Sequence, residues 1–84
     1  MAVDIHVLHR GSFLAIPAAQ ATQVAHNAWE ISIPSDDPVH DKTRRNPTAE
    51  AWDDAIFLVD GVETQPAIGS GETRREVRVS VFVV

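Results

Sequence analysis

Hydrophobic and polar residues alternate most strictly at the end of the chain, where Val77, Val79, Val81 and Val83 interleave with Arg78, Ser80, Phe82 and Val84. A period of two sends successive side chains to opposite faces, so this segment is a β-strand. Its second face passes from charged, at Glu76 and Arg78, to apolar, at Phe82 and Val84, which predicts that the strand finishes covered on both sides. A bare Val81-Phe82-Val83-Val84 edge would template pairing between chains. The strand is therefore expected to lie inside a sheet, under a helix or in a dimer contact, and Val79, Val81, Phe82 and Val83 are the candidate self-association residues.

Upstream, the apolar run Ala55-Ile56-Phe57-Leu58-Val59 stops at Asp60-Gly61, a favoured two-residue hairpin turn, and resumes as Val62-Glu63-Thr64-Gln65. Pro66 limits the second arm, and Gly69-Ser70-Gly71 reads as a flexible connection into the last strand. From Ala55 onward the pattern predicts a three-stranded meander. A second hairpin is predicted at the other end, where Val3, Ile5 and Val7 alternate with Asp4, His6 and Leu8. After Arg10-Gly11-Ser12, the run Phe13-Leu14-Ala15-Ile16 returns.

Pro17 ends that hairpin. The alanine-rich stretch behind it has an apolar stripe at Ala18, Ala21, Ala25 and Ala28. Proline suits a first helical position and alanine is the best helix former, so a helix over 17–28 is expected. Ile16 supplies no capping side chain, which leaves open an all-β alternative with a loop and strand here. Trp29-Glu30-Ile31-Ser32-Ile33 alternates again as a short strand ended by Pro34.

Residues 34–54 are polar and turn-rich and predict a long surface loop. Within it Asn46-Pro47 suits the start of a single helical turn through Asp53, with Trp52 facing inward. The expected fold is a small single domain over 1–84, of the α+β class: mainly antiparallel sheet, one short helix packed on it, and the 34–54 loop projecting to one side. An all-β sandwich or barrel is the alternative.

Length bears on this picture, because 84 residues support one small core and a stability of roughly 5 kcal/mol, so further burial in an oligomer is a natural supplement. A composition of 44% hydrophobic and 23% charged residues is that of a chain that folds. The absence of cysteine excludes disulfides, thiolate nucleophiles and Cys-ligated metals. The start of the chain does not read as a signal peptide, and no apolar run reaches the ~20 residues of a membrane helix, so a cytoplasmic protein with no membrane partner is expected.

The charge of −5 is unevenly placed: residues 36–72 carry nine acids against three cations, a local net of −6. Direct nucleic-acid binding is disfavoured, and a basic protein partner is the natural complement. The loop acids Asp36, Asp37, Asp41, Asp53 and Asp54, with His40 and Trp52, are the candidate partner-binding residues, since an aromatic side chain with a polar rim is the usual anchor of a protein interface.

Catalytic constellations are weak by comparison. The acid pairs Asp36-Asp37 and Asp53-Asp54 are adjacent in sequence, which points their side chains apart rather than across a cleft. Ser12 and Ser70 stand outside any nucleophile motif, and Gly69-Ser70-Gly71 lacks the lysine of a phosphate loop. The four histidines have no metal-ligand spacing, and His40 with Asp37 or Asp41 is the one arrangement resembling a general base. No enzyme, metal or cofactor is expected. The expectation is a non-catalytic protein-interaction module that self-associates through its sheet, with a small acidic inhibitor or accessory protein, blocking a basic surface of a partner enzyme, as the alternative.

Overall fold

The computed structural model describes residues 3–83. Four hairpins build two four-stranded antiparallel sheets. The first sheet has the order β2-β1-β5-β6, from β1 (Ile5–His9), β2 (Ser12–Ala15), β5 (Ile56–Val59) and β6 (Val62–Glu63). The second has the order β3-β4-β8-β7, from β3 (Gln20–Ala25), β4 (Ala28–Pro34), β7 (Ile68–Glu72) and β8 (Glu76–Phe82). One short helix, α1 (Val39–Thr43), and a 3₁₀ turn (Glu50–Trp52) lie between β4 and β5. The architecture is mostly β, a small domain dominated by antiparallel sheet with one short helix, although the helix is not the predicted one.

The two turns that the dipeptides announce form as expected. Arg10-Gly11 and Asp60-Gly61 both take positive φ at both positions (50° and 80°, 55° and 84°), the left-handed pair whose twist matches the strands it joins. They set the register of their hairpins, Leu8 opposite Phe13 and Val59 opposite Val62.

Three expectations are corrected. Residues 18–28 form no helix: Gln20–Ala25 is β3 and Ala28 begins β4, with a two-residue turn at His26-Asn27. Pairing with β4, Ala21 opposite Ile31 and Gln23 opposite Trp29, supplies the backbone hydrogen bonds that a helix would have made internally, and this overrides alanine's local preference. The C-terminal meander is divided, because β5 and β6 belong to the first sheet whereas β7 and β8 belong to the second. Gly69-Ser70-Gly71 is part of β7 rather than a connection, with a bulge between Gly69 and Gly71. Gly69 is required there, since a Cβ at this position would run into the Ala49 carbonyl group.

A single core draws on the buried sides of both sheets. Ile5, Val7, Phe57 and Val59 come from the first, and Ile31, Ile33, Val77, Val79 and Val81 from the second. The last strand is interior to its sheet, with β4 on one side and β7 on the other. Val79 and Val81 are fully buried, so they have no surface to present to a second chain; of the candidate self-association residues Phe82 is exposed and Val83 half-buried. Val84 lies outside the described residues.

Candidate functional site

The 34–54 segment is less a projecting loop than a cover tucked against the core. Asp37 accepts the Val39 N–H at 2.9 Å with Oδ1 at the start of α1. Thr43 Oγ1 donates back to the Val39 carbonyl at 2.7 Å, and Arg44 closes the helix in a left-handed conformation, φ 55°. This short coil buries Val39, His40 and Thr43 on one side. The 3₁₀ turn then delivers Trp52, which is fully buried among core residues, as its inward orientation in the sequence suggests.

His40 and Trp52 meet there. The indole Nε1–H donates to His40 Nδ1 at 3.2 Å, and the rings stand edge to face with centroids 5.5 Å apart. His40 Nε2 lies 2.9 Å from the Pro34 carbonyl oxygen. An indole nitrogen can only donate and a carbonyl can only accept, so Nδ1 is the acceptor and Nε2 carries the proton. Arg45 covers the tryptophan, its guanidinium 5.2 Å from the ring centroid, and donates from Nη1 to the Ala51 carbonyl at 2.6 Å. With both nitrogens engaged and the side chain buried, His40 does not offer the free lone pair that a general base needs, and Trp52 does not offer a surface that a partner could touch.

The remaining candidate partner-binding residues are dispersed. Asp36 and Asp41 are exposed beside α1, and Asp37 is half-buried, accepting the Val39 N–H just ahead of the helix. Asp53 holds the Gly69 N–H at 2.7 Å and so ties the 3₁₀ turn to β7, and Asp54 sits exposed at φ 67°. Trp52 thus belongs to the core while the acids around it belong to turns, tethers and solvent.

Two surface features that were not singled out in the sequence emerge from strand order. The first is one flank of the domain. Residues 11–29 contain no Asp, Glu, Lys or Arg, and they form both β2, an edge of the first sheet, and β3, an edge of the second. The link Ile16–Ala19 carries the chain directly from one edge to the other, so the two edges share a side, beside a groove of about 550 Å³ lined by Pro17, Ala18, Gln20 and Thr22 and, at its β1 side, by Asp4. Phe13 and Val24, each 61% exposed, stand on this side. The opposite edges also expose apolar side chains, Val62 and Ile68, but β6 is two residues long, and β7 is held by Asp53 at Gly69 and by the 3₁₀ turn. A run of neutral residues was the signal available in the sequence, but its meaning depends on knowing that both strands are edges.

The second feature is the outer face of the first sheet. Register places Phe13, Leu8 and Ile56 side by side in one row and Ala15, His6, Leu58 and Glu63 in the next. Leu8, Ile56 and Leu58 are half-buried and Phe13 is exposed. The outer face of the second sheet is mixed, with Thr22, Glu30, Ser32, Arg78 and Ser80 in corresponding rows and a hydrogen bond from Ser32 to Glu76, but with exposed Ile68 opposite Ser80 and exposed Phe82 at the end of β8. An antiparallel sheet usually keeps a polar face toward water, and here the second sheet does so more fully than the first.

Among the described residues, no group of three His, Asp or Glu side chains converges as a metal site would require. No helix of the described residues is long and apolar enough to cross a membrane. Compared with known protein families, curated proteins and solved structures, the chain matches none.

Proposed function

We propose that this protein is a non-catalytic interaction module that pairs with a second copy of itself through the neutral flank formed by β2 and β3. One observation carries the proposal: in a chain of net charge −5, the two uncovered sheet edges fall in the one long stretch without a charged residue. Natural sheets commonly blunt an exposed edge with charge, proline or brevity. β3 runs for six residues, Gln20–Ala25, with neither charge nor proline, and its bulge at Gln23/Ala25 is its single protection. Two acidic chains repel one another wherever their carboxylates face, and this flank is where they need not.

Antiparallel pairing of β3 with its symmetry mate is isologous, each copy donating and accepting the same set of backbone hydrogen bonds. Six residues a side with Val24 at the contact make a small interface, and a dissociation constant in the micromolar range, about −8 kcal/mol at 1 μM, is the scale expected. This moves the self-association from the last strand, where the valine pattern suggested it, to the strand that has an unpaired side.

The test is mass in solution across a concentration series at low and high salt. The wild type should reach the dimer mass by roughly 100 μM with little salt dependence, because no ion pairs are involved. Val24→Lys and Thr22→Lys, which place a charge on the edge without touching the core, should remain monomeric with an unchanged circular dichroism spectrum. A wild type that stays monomeric throughout refutes the proposal, as does a Thr22→Lys, Val24→Lys double variant that still dimerises.

A further inference from the structure

His40 is a buried titratable side chain that the self-pairing does not use. It fastens the 34–54 cover at two points, to Trp52 on the 3₁₀ turn and to the Pro34 carbonyl at the end of β4. The first bond depends on a neutral ring. An indole N–H can only donate, so Nδ1 must keep its lone pair, and a proton placed there would set two N–H groups against each other. The ring would also carry a charge out of reach of water. Nothing around it supplies a counter-charge, since both ring nitrogens already have uncharged partners. Arg45, which covers the same tryptophan, is itself a cation. On α1, Asp41 and Lys42 are exposed, and just ahead of it Asp37 accepts the Val39 N–H. Glu50 on the 3₁₀ turn is exposed, and Glu76, paired opposite Pro34 on β8, takes the Ser32 hydroxyl.

We infer that the 34–54 cover is a proton-operated latch: it seats on the core around neutral His40, and protonation of Nδ1 releases it, baring Trp52 and the edge of β7. The direction follows from the bonds. The open form takes up a proton for which the closed form has no place, so acid favours opening. What the cover shields is equally specific. Ala49 donates its N–H to Glu72 at 3.0 Å, Asp53 accepts the Gly69 N–H at 2.7 Å, and the Asp54 N–H reaches the Ala67 carbonyl at 2.9 Å, so the segment lies along β7. Lifting it leaves the second sheet open at β7 as well as at β3, the two ends of its strand order.

The experiment is hydrogen exchange followed by NMR on the full chain between about pH 7.5 and about pH 5.5, a window in which carboxylates ordinarily stay charged. Protection factors of the Trp52 indole N–H and the Gly69 amide should fall together by about tenfold, the change expected when one exposed imidazole, titrating near ~6.5, is protonated only in the open form. Amides of β8 should keep their protection, because the sheets stay in place. His40→Asn sets an amide oxygen near the place of Nδ1, able to accept the indole N–H and unable to titrate, and should make both protection factors independent of pH. Unchanged protection of the wild type at the acid end, an equal fall in β8, or the same fall in His40→Asn would each overturn the inference. Should His40→Asn fail to fold, the wild-type ring decides: an imidazolium signal from His40 in molecules whose Trp52 N–H is still protected overturns the latch, and its absence there supports it. The Val24→Lys variant should behave as the wild type does, so the latch and the self-pairing are tested apart.

Discussion

Trp52 donates its indole N–H to His40 Nδ1 at 3.2 Å, and this one bond fixes the tautomer of a buried histidine that the sequence offers as a general base. Imidazole nitrogen shifts measured by NMR should place the proton on Nε2, facing the Pro34 carbonyl. A proton on Nδ1 would mean that the indole and imidazole do not pair as described. Trp52→Phe keeps an aromatic ring but leaves Nδ1 buried without a donor and a gap where the larger ring stood. It should lower stability by about 2–4 kcal/mol in urea unfolding. A loss under ~0.5 kcal/mol would show that the pair contributes little.

Gly69 should tolerate no side chain. Its Cβ would meet the Ala49 carbonyl group, and the segment around it is held by Asp53. Gly69→Ala should therefore cost about 1–3 kcal/mol through forced displacement of backbone, rather than gain the few tenths expected of alanine at an open strand position. Thermal unfolding reads this as a fall of the midpoint by several degrees, at about 4–8 °C per kcal/mol for a domain of this size.

Arg10 occupies the first left-handed position of the β1–β2 turn, φ 50°, which suits asparagine better than a long side chain. Arg10→Asn should stabilise the domain by about 0.5–1 kcal/mol, and Gly11→Val, at φ 80°, should destabilise it by more than that. An unchanged or lowered midpoint for Arg10→Asn would indicate that the arginine side chain makes a contact worth as much as the relief of strain.

Val81→Asp separates the interior strand from an interface strand. A carboxylate at this fully buried position has no partner, so the variant should lose cooperative unfolding altogether. Had the strand served a dimer contact alone, the result would be a folded monomer. Phe82→Ser, two thirds of whose wild-type side chain is already covered, should cost only about 1–2 kcal/mol and leave the fold in place.

These variants also mark how far the fold can be read from the chain. Strict alternation around Val77–Val83 and the Asp60-Gly61 dipeptide translate directly into β8 and the β5–β6 hairpin, because side-chain period and turn conformation are local properties. The segment 18–28 does not translate. Alanine favours a helix locally, while Thr22 and Val24, which favour a strand, and the turn-forming Asn27 were the contrary signals, and the decision belonged to β4, a distant constraint on a weak preference. Gly69-Ser70-Gly71 misleads for a related reason. Two glycines suggest slack, yet one is there for a close approach of Ala49 and both flank a bulge. Of the candidate site, His40 and Trp52 meet across 12 positions of sequence, as core partners rather than as a partner-binding surface; a five-residue helix has too few turns to show a periodic buried face beforehand. The outer face of the first sheet was hidden because its apolar row is assembled from three strands.

The order of the four hairpins has a consequence for how the chain reaches its structure. Successive hairpins alternate between the sheets, so each sheet is completed by joining a hairpin from the first half of the chain to one from the second, β1 to β5 and β4 to β8. Ile5 must find Val59, and Trp29 must find Val81, before either sheet has more than two strands. An isolated two-stranded hairpin is marginal in water, so no uninterrupted half of this chain has a core to fold around. Domains dominated by such distant pairings search slowly, on a scale of milliseconds to seconds, with their strand edges open to neighbours meanwhile. Cut at the 46–49 segment, the two pieces should each be unstructured alone and should regain strand signal only on mixing, as halves interleaved like the fingers of two hands.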